Sequence, residues 1–274
     1  VLRGPQSTLF GKNASAGVIS IVTQEPQFEF GGSIEGTYGN YNQMIAKGYV
    51  TGPLGESVAA SLAAGVNKRD GFFEDLGTGE DTNERDRWFA RGQFLIEPVG
   101  GDLKIRIIGD YDKIDEDCCG VVNMQSSAAT AAVIGVGGQV TDPSDPFANV
   151  VYTNYGSSND IENYGVSGQV DYNIGPLTLT SITAYRETQS LTRQDSDFTS
   201  ADLLDGQNID LGIQTFTQEL RFSGEMGDMF SFLLGAFYLD ETIEQSGTLF
   251  YGPAFRPYAN LLVQGASGGA LNVP

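Results

Sequence analysis

Histidine is absent from all 274 residues. That removes imidazole general bases and imidazole metal ligands from this stretch of chain, and with them the common routes to protease or lipase chemistry. No catalytic residue, resident metal or cofactor is therefore expected. Cysteine is nearly absent too, with only Cys118 and Cys119. There is no run of about 18 or more apolar residues, which excludes a membrane-crossing helix but not a barrel strand, since such a strand needs only about ten alternating residues. Positive charge is scarce: 15 Lys and Arg against 35 Asp and Glu leave a formal charge of −20. A surface of that sign repels phosphate backbones, so nucleic acid is a poor partner. The first residues, Val-Leu-Arg-Gly-Pro, contain no basic leader followed by an apolar core, so an export signal is expected to be either absent or carried on sequence beyond them.

What the chain does have is glycine and aromatic side chains, with 36 Gly, 12 Tyr and 16 Phe. Glycine usage near twice the average of about 7%, beside abundant aromatics, points to β structure with many turns. From residue 31 onward, apolar and polar residues alternate. A strand shows its odd and even residues to opposite faces. In 103–112, Leu103, Ile105, Ile107, Gly109 and Tyr111 share one face, while Lys104, Arg106, Asp110 and Asp112 share the other. In 88–97, Trp88, Ala90, Gly92, Phe94 and Ile96 oppose Arg91, Gln93 and Glu97; in 58–68, Val58, Leu62 and Val66 oppose Ser61 and Asn67. The stretches 31–39, 42–51, 161–174, 177–188, 214–223 and 229–241 repeat the pattern, which makes nine candidate strands.

The connections alternate in length. Turn chemistry sits at 52–55, 98–102, 175–176 and 224–228, and longer polar stretches at about 69–86, 113–160, 189–212 and from 244 onward. Short turns on one rim and long loops on the other describe an up-and-down membrane barrel. One face stays apolar to the strand ends while the other carries charge. The apolar face is thus expected to meet lipid, with Trp88, Phe94, Ile105, Ile107, Val170 and Leu220 outward and Arg91, Gln93, Arg106 and Glu219 inward. The fold class is all-β: an antiparallel transmembrane β-barrel, here partial with about nine strands.

Residues 1–26 break this rhythm. They read Val-Leu-Arg-Gly-Pro-Gln-Ser-Thr-Leu-Phe-Gly-Lys-Asn-Ala-Ser-Ala-Gly-Val-Ile-Ser-Ile-Val-Thr-Gln-Glu-Pro. This segment resembles the late plug segment of TonB-dependent outer-membrane receptors, in which a Leu-Arg-Gly-Pro-Gln turn leads through Leu-Phe-Gly to a Gly-x-Ile-x-Ile-Val-Thr strand. The matching positions are Leu2, Arg3, Gly4, Pro5, Gln6, Leu9, Phe10, Gly11, Asn13 and Gly17. The stretches 177–187, 216–223 and 234–238 are similar to barrel strands of the same family.

The resemblance implies residues 1–27 as the C-terminal part of a plug domain and 28–274 as the N-terminal part of a barrel of about 22 strands. It further implies a site in the bacterial outer membrane, contact with outer-membrane lipid, and coupling to the TonB energy-transducing complex through an N-terminal box that lies outside these residues. An iron-siderophore complex is the commonest cargo in the family. Vitamin B12, an oligosaccharide or another metal chelate are alternatives, as is a passive porin, which leaves residues 1–26 unexplained. Substrate-binding residues are not legible.

Other features carry narrower expectations. Val18, Ile19, Ile21 and Val22 read as a short buried strand, and Glu25-Pro26-Gln27 as a hinge, because proline ends a strand and restricts its predecessor. Arg3, Lys12, Arg91, Arg106, Arg186 and Arg221 are expected to pair with carboxylates such as Glu35, Glu97 and Glu219. Adjacent Cys118 and Cys119 suit a vicinal disulfide stiffening a loop tip, although neighbouring Cα atoms lie closer than most bridges allow; a soft-metal or redox role lacks further ligands. Asp110, Asp112, Asp115, Glu116 and Asp117 offer oxygen ligands for Ca²⁺ without EF-hand spacing, and a solvated loop is the plainer reading. Gly135-Val136-Gly137-Gly138 precedes no helix and so makes a poor phosphate cradle.

Overall fold

A computed structural model describes residues 1–5, 15–19, 21–227 and 229–273. In chain order, β1 (Leu2–Arg3) and β2 (Gly17–Val18) precede β3 (Gly31–Gly39), β4 (Gln43–Gly55) and β5 (Val58–Arg69). The short β6 (Phe73–Asp75) and β7 (Asp81–Thr82) come next, before β8 (Arg85–Ile96) and β9 (Leu103–Asp117). Helix α1 (Ala128–Gly135) and β10 (Val150–Val151) lie ahead of β11 (Ser158–Ile174), β12 (Leu177–Gln194), β13 (Gly206–Met226), β14 (Phe230–Phe250) and helix α2 (Phe255–Ser267).

Nine strands form one antiparallel sheet in the order β14-β13-β12-β11-β9-β8-β5-β4-β3, so every long strand pairs with its neighbours in sequence. The connections after β4, β8, β11 and β13 therefore share one rim, and those after β3, β5, β9 and β12 share the other; the last three of these are long, whereas only 40–42 link β3 to β4. Local chemistry sets the turns. Gly175 takes φ +61 in the two-residue link between β11 and β12, the left-handed start that matches strand twist. The register shifts at Pro53 in β4, where proline has no amide to offer the ladder.

Pairing fixes the faces. Ile107 lies opposite Phe94 and Gly168, and Ile105 opposite Ile96 and Val170. Arg106 lies opposite Leu95 and Gln169, and Arg91 opposite Asp110. Glu219 pairs with Ile182, and Leu220 with Ser181 and Ala236. The apolar set occupies one side and the polar set the other, and residues 23–27 lie on the polar side, which is the inner one. On the outer side, Tyr111 faces Tyr164 and Leu103 faces Tyr172. Tyr164 and Tyr172 stand some 26 Å apart along β11 at about 3.3 Å per residue, close to the height of a lipid-facing band between aromatic girdles. Trp88 stacks on Tyr111 at 4.8 Å, and Phe216 meets Tyr238 edge-on at 6.3 Å.

The long strands run past the expected ends. β12 reaches Gln194, β13 starts at Gly206, and β14 reaches Phe250, so the connection expected at 189–212 shrinks to 195–205. Beyond the lipid band both faces meet water, so the apolar alternation stops while the hydrogen-bond ladder continues. The cluster from Asp110 to Asp117 likewise belongs to β9 and not to a solvated loop. Two helices also lie in stretches read as loop. α1 begins at a capping box in which Ser127 and Thr130 satisfy each other's backbone amides, and α2 carries Pro257 in its first turn, where no amide partner is needed. Gly268, at φ +61, closes α2.

Candidate functional site

Among the described residues, polar side chains are buried chiefly in two regions: the strap of residues 23–27 against the inner wall, and the loops on the long-loop rim. In the strap, Arg106 Nη2 donates to Thr23 O at 3.1 Å and Thr23 Oγ1 at 2.9 Å. Gln93 Nε2 donates to Gln24 O at 3.2 Å. Lys104 Nζ reaches Glu25 Oε2 at 2.7 Å, and Arg106 Nη1 lies 3.7 Å from Glu25 Oε1. Pro26 is buried, and the Gln27 amide donates to Thr51 Oγ1 at 2.8 Å. The expected hinge is thus a fastened segment: its carbonyls and carboxylate meet donors that alternate along β8 and β9 on the inner face, and proline adds rigidity.

The residues just upstream differ. Ile19, Ile21 and Val22 are 73%, 85% and 81% exposed, against the expected buried strand. An isolated apolar strand needs a second apolar layer, and the polar inner wall is not one. Of the plug-motif positions, Leu2 and Arg3 pair with Val18 and Gly17, and Gly4, at φ +84, donates its amide to Ala16 O at 3.0 Å. Pro5 is exposed. Gln6, Leu9, Phe10, Gly11 and Asn13, together with Lys12, lie outside the described residues.

The inner-face ion pairs are mostly different from those expected. Arg221 pairs with Glu219 at 2.5 Å, as read. Arg91 and Arg186 share Asp110 at 3.5 and 2.8 Å, Arg106 takes Glu25, Glu97 goes to Lys104 at 3.6 Å, and Glu35 to Lys47 at 3.8 Å. Glu116, almost fully buried, is held by Arg87 through both carboxylate oxygens. Asp112 accepts from Asn163 at 2.9 Å. The acids of β9 are spread over two faces and several partners, so they do not converge on one point. Partner choice follows cross-strand register, which a single strand does not reveal.

On the long-loop rim, strands β6, β7 and β10 form a small sheet, fastened by Asp75. Its Oδ1 accepts the amides of Gly77 and Thr153 at 2.9 and 3.0 Å, and its Oδ2 accepts the Thr153 hydroxyl. Gly77 has no room for a side chain, since a Cβ there would sit 1.9 Å from Thr153 O. Beside this sheet Cys118 and Cys119 are joined by a disulfide. Asn83 Oδ1 accepts the amides of Cys119 and Gly120 at 2.7 and 3.1 Å, so the cysteine pair is tied to the neighbouring loop. Gly135 is the last residue of α1, and Val136 to Gly138 make the turn beyond it. Val133, Ala201 and Leu203 make a small core with Val136, Val140, Ala254 and Tyr258, which locks three loops into one platform. Nothing in the sequence singled out this core, because its residues come from segments roughly fifty to seventy positions apart.

Asp195 ties the platform to the β10–β11 segment. Its Oδ1 accepts the amides of Asp197 and Phe198, both at 3.0 Å, and its Oδ2 accepts that of Asn154 at 3.2 Å. Burial, with the Asp197 carboxylate adding to it, pushes Asp195 up to about 6 despite these donors. Because the folded value is raised, the stability that Asp195 lends is fully present below the ordinary carboxyl range and is lost as pH rises through about 6. Hydrogen exchange at Asn154, Asp197 and Phe198, corrected for intrinsic rates, is expected to show protection falling between about pH 4 and pH 7. Flat protection across that window would refute the assignment.

No protein-family model matches the chain. Over 78 residues it is 38% identical to the ferrioxamine B receptor of Salmonella typhimurium, covering 28% of this chain and 11% of that protein. Over 84 residues it is 37% identical to the pesticin receptor of Yersinia pestis, covering 30% and 12%. Among solved structures, the ferric yersiniabactin uptake receptor of Yersinia pestis superposes with a TM-score of 0.71 at 16% identity, over 91% of this chain and 36% of that one. The ferric-catecholate import receptor of E. coli K12 does so with a TM-score of 0.67 at 14% identity, over 88% and 38%. The matched stretch is thus about a tenth of each curated relative, and the chain covers little more than a third of each solved structure. The structural likeness supplies the barrel fold, and the sequence identity makes about 80 residues of the chain similar to part of the ferrioxamine B and pesticin receptors.

Proposed function

We propose that the whole protein is an outer-membrane receptor for TonB-energised uptake of an iron-siderophore complex. In this reading residues 1–27 end its plug domain and residues 28–274 begin its barrel. The observation that carries it is the strap: residues 23–27 are fastened to the polar inner face of a wall whose other face suits lipid. A passive porin gives no reason for a segment bound there. Curated relatives include receptors named for ferrioxamine B and pesticin, and names that include ferrioxamine B and ferric yersiniabactin favour an iron chelate over vitamin B12 or an oligosaccharide. The loop platform, held by Asp75, Asp195 and its small apolar core, offers a preformed surface for first contact with ligand, and a rigid surface loses less entropy on binding.

The test is uptake of radio-iron-loaded ferrioxamine B and yersiniabactin by iron-starved cells carrying the full-length receptor as their sole siderophore receptor. Accumulation of one of them that stops when TonB is deleted or the proton-motive force is collapsed is the expected result. Entry that continues without TonB would establish the porin reading instead.

A further inference from the structure

We propose that Arg106, Lys104 and Gln93 form a binding site for a carboxylate-type anion on the inner wall, and that Glu25 fills this site as an internal ligand. Lys104 and Arg106 are two apart on β9 and so project from the same face. The two oxygens of Glu25 are divided between them, Oε2 at 2.7 Å from Lys104 Nζ and Oε1 at 3.7 Å from Arg106 Nη1. The remaining contacts of Arg106 are neutral: Nε and Nη2 donate to Gln93 Oε1 at 3.2 and 2.6 Å, and Nη2 also to Thr23. Gln93 is only 4% exposed and the Arg106 side chain 11%.

The surrounding acids do not serve Arg106. Glu97 lies beside Lys104 at 3.6 Å. Asp171, opposite Lys104 in register, accepts from Thr180 at 2.6 Å and Gln169 at 2.7 Å. If Glu25 leaves, Arg106 becomes an enclosed guanidinium with no carboxylate among the described residues. Arginine cannot escape that cost by losing its proton, and an enclosed unpaired charge is strongly unfavourable. An anion with two oxygens spaced like a carboxylate meets the vacated Nη1 and Nζ. Because the site faces inward, displacement of the strap would present it to anionic cargo. This last consequence rests on the transport reading, whereas the site itself does not.

The experiment uses the full-length receptor in nanodiscs, with acetate as the probe against chloride at equal ionic strength. In Glu25→Gly, exchange at the Gln24 and Gln27 amides is expected to rise about tenfold in chloride, as loss of a charge-assisted contact does, and acetate should reverse most of that rise. In Glu25→Gln, which keeps the side-chain volume in place, acetate should have no effect. Adding Arg106→Gln to Glu25→Gly should abolish the acetate effect. Equal behaviour in acetate and chloride for Glu25→Gly, or an acetate effect that survives Arg106→Gln, overturns the site. Absence of TonB-dependent uptake in the wild-type receptor would overturn only the transport reading.

Discussion

Replacing Ile107 by arginine is expected to destabilise the barrel by about 2–4 kcal/mol, the cost of a basic residue at the middle of a lipid-facing surface. Ile107 pairs with Phe94 on one side and Gly168 on the other, midway between the girdle positions at Tyr111 and Leu103 on β9. Its outward side chain has no route to water within that band. Ser33, exposed on the inner face opposite Tyr49, provides the control, and Ser33→Arg should change stability by no more than about 0.5 kcal/mol. Folding titrations of the full-length protein into lipid vesicles measure both. Equal losses would reverse or dissolve the assignment of faces. Alternation alone suggests Gln93 as the tolerant inner position. In the structure Gln93 is buried and holds both Arg106 and the strap, so Gln93→Ala is expected to cost about 1–3 kcal/mol through the partners it leaves unmet.

Deleting residues 1–26 from the complete receptor should abolish energised uptake and leave a barrel that leaks small solutes. The deletion removes the segment upstream of the barrel together with Thr23, Gln24 and Glu25, which fasten it to the wall. Arg106 would then lose its carboxylate, so some loss of barrel stability should accompany the leak. Liposome swelling and TonB-dependent radio-iron accumulation report the two effects separately. A deleted receptor that still accumulates iron in an energy-dependent way, with no new leak, would defeat both the plug assignment and the transport reading.

Much of the wall was legible in the residues because a barrel strand obeys a local rule. Leu103 to Asp112 shows its two faces in sequence, as do Val58 to Lys68 and Trp88 to Glu97, since lipid and water sort side chains one residue at a time. Turn residues are equally local: Gly175-Pro176 can do little else but reverse the chain. Legibility ended where the sorting rule did. Past the girdles, Gln189 to Gln194 and Thr242 to Phe250 continue as strand with water on both sides, so no apolar period marks them.

The sequence by itself determined the nine long wall strands, most of their short and long connections and the two faces, because each depends on neighbours within about ten residues. Only the tertiary structure decided which charges meet. Glu25 finds Lys104 and Arg106 from some eighty positions away, Arg91 and Arg186 converge on one Asp110, and Asp195 collects amides from Asn154 as well as from its own turn. It also turned the Glu25-Pro26-Gln27 junction from a hinge into a fastened strap and gathered Val133, Ala201 and Leu203 into the core of a loop platform. Pairing of this kind is set by register across strands and by loop packing, and those quantities come into being only when distant segments are brought together.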